Sequence, residues 1–194
     1  MTDRLATEGP TAQSPRRIVA WRNLLSCRRG IAAVEFGFIV APLLAFLISI
    51  IQIGIIFVAQ NELETAVEKS ARTLLTGKVQ QNNVNQSTFV STVCSNLPAL
   101  FSCSGVMVDL QTASSFDSAD TSTPVLTYDQ NGNVTNNWQF QTGGAGAIMV
   151  MRVLYQFPVA IGPLRFNLAN LRNGKRLLMA TAVFEVEPYN NLGP

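Results

Sequence analysis

From Phe36 to Asn61 the chain carries no Asp, Glu, Lys or Arg. A helix over Phe36 to Ala59, about 24 residues, would be roughly 36 Å long and could cross a hydrocarbon core of ~30 Å with some tilt. Hydrocarbon offers no water to unpaired amides and carbonyls, so a single apolar segment of this length crosses it as a helix. One carboxylate, Glu35, stands at the mouth of the run, behind Arg28, Arg29 and Gly30. Charged residues make up 13% of the whole chain. That is low against a usual ~25%, and the apolar run accounts for the deficit. Without it, the remainder reads as an ordinary polar domain rich in Asn, Gln, Ser and Thr.

The flanks orient the segment. Before Gly30 stand Arg4, Arg16, Arg17, Arg22, Arg28 and Arg29 against Asp3 and Glu8. A positive N-terminal flank places that side in the cytoplasm and the long C-terminal part across the membrane. A cleaved secretory signal peptide fits poorly, because the apolar stretch is too long and no Ala-x-Ala site follows it. A plain signal anchor remains open. Residues 1 to about 20 read as a flexible tail. Trp21 to Cys27 reads either as a short interfacial turn or as an unstructured tether.

Several function classes drop out on composition. The net charge of +2 argues against a nucleic-acid surface. The chain has no histidine, which removes the commonest general base, the Ser/His and Cys/His nucleophile arrangements and most transition-metal sites. Cys27 falls on the reducing side. Cys94 and Cys103 fall in the exported part, where a pair reads as a disulfide closing a short loop. Two thiols without imidazole make a zinc site a poor fit. Asp117, Asp120 and Asp129 lack the spacing of a calcium loop. Gly143-Gly144-Ala145-Gly146 lacks the Lys-Ser/Thr of a phosphate cradle and reads as a turn. No cofactor is expected.

The helix is expected to begin at Ile31 and continue beyond the membrane to a stop at Gly77. Pro42 lies inside it, where the missing amide predicts a kink or loosened turn. Gly37 and Gly54 permit close helix approach but lack the GxxxG spacing. Ser49 and Gln52 are the polar members of the span. From Gln60 onward Leu63, Ala66, Val67, Ser70, Ala71, Leu74 and Leu75 recur at i, i+3, i+4, an amphipathic pattern that needs an apolar surface to lie on. Glu62, Glu64 and Glu68 then read as a solvated face. Lys78 to Ser87 reads as a linker, and Thr88 to Leu97 as a short helix ended by Pro98. Strands are expected at Val106–Gln111, Ala147–Phe157 and Leu177–Glu187. Trp138–Gln141 also alternates, and one helical turn is expected at Leu168–Leu171. The sum is an α+β fold: a long helix, half in lipid, packed on a small antiparallel sheet.

Glu35 admits two accounts. It can sit in the headgroup layer of an uncut anchor. Alternatively, if the chain is cut after Gly30, Glu35 becomes the fifth residue of a helix starting with a free amine at Ile31. The carboxylate could then neutralise that amine, on its own chain or on a neighbour, and fix axial register. A charge at the bilayer centre costs about 2.5–3.5 kcal/mol or more, so such pairing would offset much of the smaller cost nearer the edge. Here a resemblance bears on the choice. Gly30-Ile31-Ala32-Ala33-Val34-Glu35-Phe36 resembles the processing site of type IVb pilins and pseudopilins. With Arg29 and Ala41-Pro42-Leu43-Leu44 it is similar to the TadE-like pseudopilins of the tight-adherence (Tad/Flp) pilus system. Gln60 to Ala71, Val150 to Pro158 and Thr181 to Asn190 add further likeness. The related TadG-like proteins carry an Asp-x-Ser-x-Ser metal site, from which Asp120-Thr121-Ser122-Thr123 departs, and the chain is too short for their extra domain.

The resemblance implies cleavage by the prepilin peptidase between Gly30 and Ile31, and Glu35 and Phe36 as assembly residues. Its expected partners are other pilins, the Tad inner-membrane machinery and lipid, with no nucleic acid. The expected division is a basic cytoplasmic leader over 1–30, a helix over 31–77 spanning at about 36–59, and an exported α+β domain over 78–194. The bacterial inner membrane is the expected location, with possible entry into the fibre after processing. The rival account is an uncut, single-pass anchor presenting a binding module.

Overall fold

A computed structural model describes residues 31–189. Gly30, the basic flank, the Trp21–Cys27 segment and Asn190 lie outside the described residues. The chain divides into two units, the first ending at Phe46 and the second beginning at Leu47. Helix α1, Ile31–Leu75, contributes to both.

In the first unit α1 shows the pattern of a helix with lipid or other helices as its solvent. Its large apolar side chains, among them Val34, Phe36, Phe38, Ile39 and Phe46, are exposed. From Ala59 onward the pattern changes. Ala59, Leu63, Ala66, Val67, Ser70, Ala71 and Leu74 are buried, a single stripe at helical spacing. Leu75, expected in that stripe, is only half-buried. The one hydroxyl in the stripe is satisfied: Ser70 Oγ donates to Ala66 O (2.7 Å) and accepts from Asn96 Nδ2 (3.1 Å). The helix stops where expected. Gly77 takes a left-handed φ of 70°, open to glycine at little cost, and donates to Leu74 O at 3.0 Å. The Tyr189 ring fills the space a side chain at Gly77 would need.

The stretch expected to be a linker contains a helical turn, α2 (Lys78–Gln81), with Val79 buried in the core and Gln80 Nε2 bonded to Thr142 O at 2.7 Å. Helix α3 runs over Gln86–Ser95, earlier at both ends than apolar spacing predicts. Its start is set by a cap, because Asn85 Oδ1 accepts from the Thr88 amide at 2.9 Å. Its end comes at Ser95, before Pro98 can act. Cys94 and Cys103 form the expected disulfide, with Cα atoms 5.5 Å apart.

Three antiparallel strands follow in spatial order: β1 (Val106–Ala113), β2 (Ile148–Pro158) and β3 (Lys175–Glu185). The register aligns Val108 with Val153 and Val153 with Ala180. Side chains alternate between faces, so Val106, Val108 and Leu110 join Met149, Met151, Val153, Tyr155 and Phe157 on one face. Leu178, Ala180 and Phe184 complete that face, which packs with the α1 stripe, Phe89 and Val93 into one core. Strand β3 runs alongside α1 in the same direction: Gln60 Nε2 donates to Met179 O (3.0 Å), and the Glu187 amide to Leu75 O (2.8 Å).

Two local expectations fail. Trp138–Gln141 does not form a ladder strand. It makes one parallel bridge at the outer edge of β1, where Leu110 donates to Gln139 O and Gln141 to Leu110 O, each at 2.9 Å. The helical turn expected at Leu168–Leu171 sits at Pro163–Arg165 instead. Proline at its first position presets the backbone, whereas Asn170 is used to receive the Leu177 amide at 2.7 Å.

Leu63 is fully buried in the helix–sheet seam. Leu63→Ala is expected to cost about 2–5 kcal/mol in urea unfolding of the detergent-solubilised chain, and a change under about 1 kcal/mol would show that the seam is not a packed core.

Candidate functional site: the helix that meets the membrane

The residues singled out for assembly lie at the start of α1. Ile31 is its first described residue, and Ile31, Glu35 and Phe36 are all exposed. Glu35 lies about one turn of helix beyond Ile31, roughly 6 Å of rise. Pro42 lies within a helix assigned without a break across it. Having no amide, it leaves the Phe38 carbonyl without its usual partner. A Cβ added at Gly37 or Gly54 would meet no atom within 4 Å, so both small residues face open space in the single chain.

Gln52 has a specific neighbour within the second unit. Its side chain reaches the loop after β2: a Cβ built on Gly162 would lie 2.7 Å from Gln52 Oε1 and 3.0 Å from Phe166 O. That oxygen is buried and accepts no hydrogen bond. Beside it lies a mostly apolar cleft of about 220 Å³, between Gln52, Ile55 and Ile56 of α1 and Phe157, Val159 and Leu168.

On the sheet face turned away from α1, an ion pair went unnoticed in the sequence. Arg152 in β2 is paired across the ladder with Asp109 in β1. Its Nε and Nη2 both donate to Asp109 Oδ2, at 3.1 and 2.7 Å, and both residues are at least 96% buried: they are 4% and 3% exposed. Arg152 Nη1 reaches on to Ser122 O (3.2 Å) and Asp120 Oδ2 (3.4 Å), while Asp109 Oδ1 accepts the Gln139 amide (3.0 Å). The pair thus ties the polar excursion between β1 and β2 to the sheet near both of its ends. The available signal was a lone charge of each sign inside two apolar strands, which only register could bring together.

The aspartates weighed for calcium serve turns. Asp120 Oδ1 accepts from the Ser122 hydroxyl and amide, and those bonds, with Arg152 nearby, hold its carboxyl below the usual range. Asp129 is lowered in the same way by the Asn133 side chain and amide. Among the described residues no cluster of three or more His, Cys, Asp or Glu could hold a metal.

Helix α1 is long and apolar enough to cross a membrane. Residues 30–72 match the family model described as TadE-like protein. The TadE-like stretch opens at Gly30 and ends within the buried-stripe half of α1, so it covers the helix and not the sheet. The likeness to a TadE-like protein holds for that stretch of the chain. No curated protein and no solved structure matches the chain.

Removing one member of a buried pair strands the other. Asp109→Ala is expected to cost about 3–5 kcal/mol, and joint replacement of Asp109 and Arg152 by apolar residues of similar volume to recover much of it. Hydrogen exchange at the Gln139 amide should accelerate in Asp109→Ala. Unchanged protection there would show that the excursion is held by other contacts. The folded pKa of Asp120 and Asp129 lies below the unfolded value, so their turns are stabilised above about pH 4 and lose that contribution as pH falls through the folded value. Carboxyl NMR titrations are expected to run below 3.8, the ordinary aspartate value, and titration at or above it would contradict the bonding described.

Proposed function

We propose that the chain is a pseudopilin of the Tad pilus system, a minor pilin that takes part in assembling or seating the fibre. It enters the inner membrane with its N-terminus in the cytoplasm and its α+β domain exported. The prepilin peptidase cuts it between Gly30 and Ile31, and the exposed apolar half of α1 then packs among other pilins or stays in lipid. The observation that carries this proposal is the TadE-like match, which begins at Gly30 and takes in the exposed apolar half of α1.

The division of α1 supports the same account. A subunit that must leave lipid for a bundle of like helices needs a segment apolar on every side, because both surroundings are apolar. It also needs a folded domain that does not depend on that segment for its core. The buried stripe starts at Ala59, within the second unit, and no residue from Ile31 to Phe46 is buried. In such a bundle Glu35 would be costly without a partner. The amine freed at Ile31 supplies one, on the same chain or the next.

Gly30→Trp is expected to leave membrane insertion intact and to abolish processing and pilus assembly. Normal piliation with an uncut Gly30→Trp chain would favour the uncut anchor instead. Glu35→Ala is expected to insert and be cut normally yet to lower surface pili by about tenfold or more, as loss of an axial-register contact in an apolar bundle would. Unchanged piliation in Glu35→Ala removes the amine-pairing role without touching the processing claim.

A further inference from the structure

We propose that the connection between β2 and β3 is a second membrane contact, lying in the outer interface of the same bilayer beside α1 and favouring anionic headgroups. The proposal rests on the reading of α1 as a membrane-spanning helix.

Height along α1 comes first. β3 leaves the sheet's lower end at Lys175, four residues before Met179, which is bonded to Gln60. Four strand residues are about 13 Å, equivalent to about nine residues of helix, so Lys175 lies near the level of Ile51 or Gln52. The contact of Gly162 with Gln52 independently puts the connection at that level. Gln52 falls in the outer half of the charge-free run Phe36–Asn61, the apolar segment read as the span. The connection therefore lies toward the outer end of that segment.

Its chemistry matches that place. Between Tyr155 and Phe184 the chain has Arg165, Arg172, Lys175 and Arg176 and no acidic residue. Against this cationic background Ile161 is 75% exposed and Phe166 36%. Apolar side chains set among bases are what an interfacial segment presents, the former entering the acyl boundary and the latter meeting phosphates. Of the domain's acids, Asp129 belongs to a turn that meets the connection, with Gly132 against Asn173, and the four bases outnumber it; Glu185 and Glu187 lie at the far end of β3.

Gly162 makes the arrangement possible. Its amide closes the loop onto Phe166 O at 2.7 Å, and the missing side chain lets the loop lie against Gln52. The adjoining cleft beside Ile55 and Ile56 continues the apolar surface of α1 toward the loop. A docked loop at this height would limit rocking of the exported domain about the membrane helix, a role distinct from helix packing in a fibre.

The test places tryptophan at Phe166 and, separately, at Ile48 of α1, with Trp21 and Trp138 changed to Phe in both. The full chain is reconstituted in vesicles of phosphatidylethanolamine and phosphatidylglycerol carrying brominated lipid. Ile48→Trp is expected to be quenched, reporting the span. Phe166→Trp is expected to be quenched about twofold or more strongly by bromine near the headgroups than by bromine near the chain ends. Replacing phosphatidylglycerol by phosphatidylcholine, or adding Arg165→Glu with Arg172→Glu, should lower that quenching by about twofold or more. Quenching at Ile48 with none at Phe166 would overturn the inference and leave the spanning helix standing. Absence of quenching at both sites would remove the spanning reading and the inference with it. Indifference of Phe166 quenching to lipid charge and to both substitutions would refute the preference for anionic headgroups.

Discussion

Every feature of this chain depends on where α1 stops being apolar on all sides. Hydrocarbon forces a polypeptide to satisfy its own backbone, so the charge-free run must be helical. Once it is, nothing in that half can tell one direction from another. At Ala59 the apolar positions narrow to a stripe, and the α+β domain is built on that stripe. The three strands cannot make a core alone, since a small sheet with one uncovered face is at best marginal. The helix supplies the missing layer, with Leu63, Val67 and Leu74 against Met149, Met151 and Val153. One helix thus carries both the apolar run and the core stripe.

The opposite sheet face is closed by different means. The excursion before β2 is poor in apolar residues and could not hold itself down by burial. The Asp109–Arg152 pair does so with directed bonds to Ser122, Asp120 and Gln139. A buried pair of this kind adds little net stability compared with an apolar substitute. Its contribution here is to fix where a polar segment lies on a sheet, a matter of geometry that dispersed apolar contacts define poorly. The domain therefore uses a nonpolar seam toward α1 and a polar clasp on its far side.

How much of this was legible varied with the range of the interaction involved. Periodicity located α1, its buried stripe and the three strands, and the left-handed Gly77 marked the helix end, because those signals are local. The disulfide followed from two cysteines in an exported segment. The α3 start was missed by two residues because a cap, Asn85, outweighed the apolar spacing used to place it. Trp138–Gln141 alternates as a strand does, but it reaches the sheet outside the edge of β1 with room for one bridge. The Asp109–Arg152 pair needed strand register, which no local pattern contains. Gln52 read as a polar member of the span. Its contact with Gly162 depends on a loop more than a hundred residues away, and that too is beyond local pattern. The cut at Gly30 and the role of Glu35 came from likeness to a family, with the physics admitting either account.

The central claim is that the functional chain begins at an amine the gene does not encode as a terminus. Intact-mass measurement of the protein extracted from membranes of cells with and without the prepilin peptidase tests it most directly. The account predicts a chain starting at Ile31 when the peptidase is present and the uncut chain when it is absent. A chain in wild-type membranes with Gly30 still joined to Ile31 would contradict it.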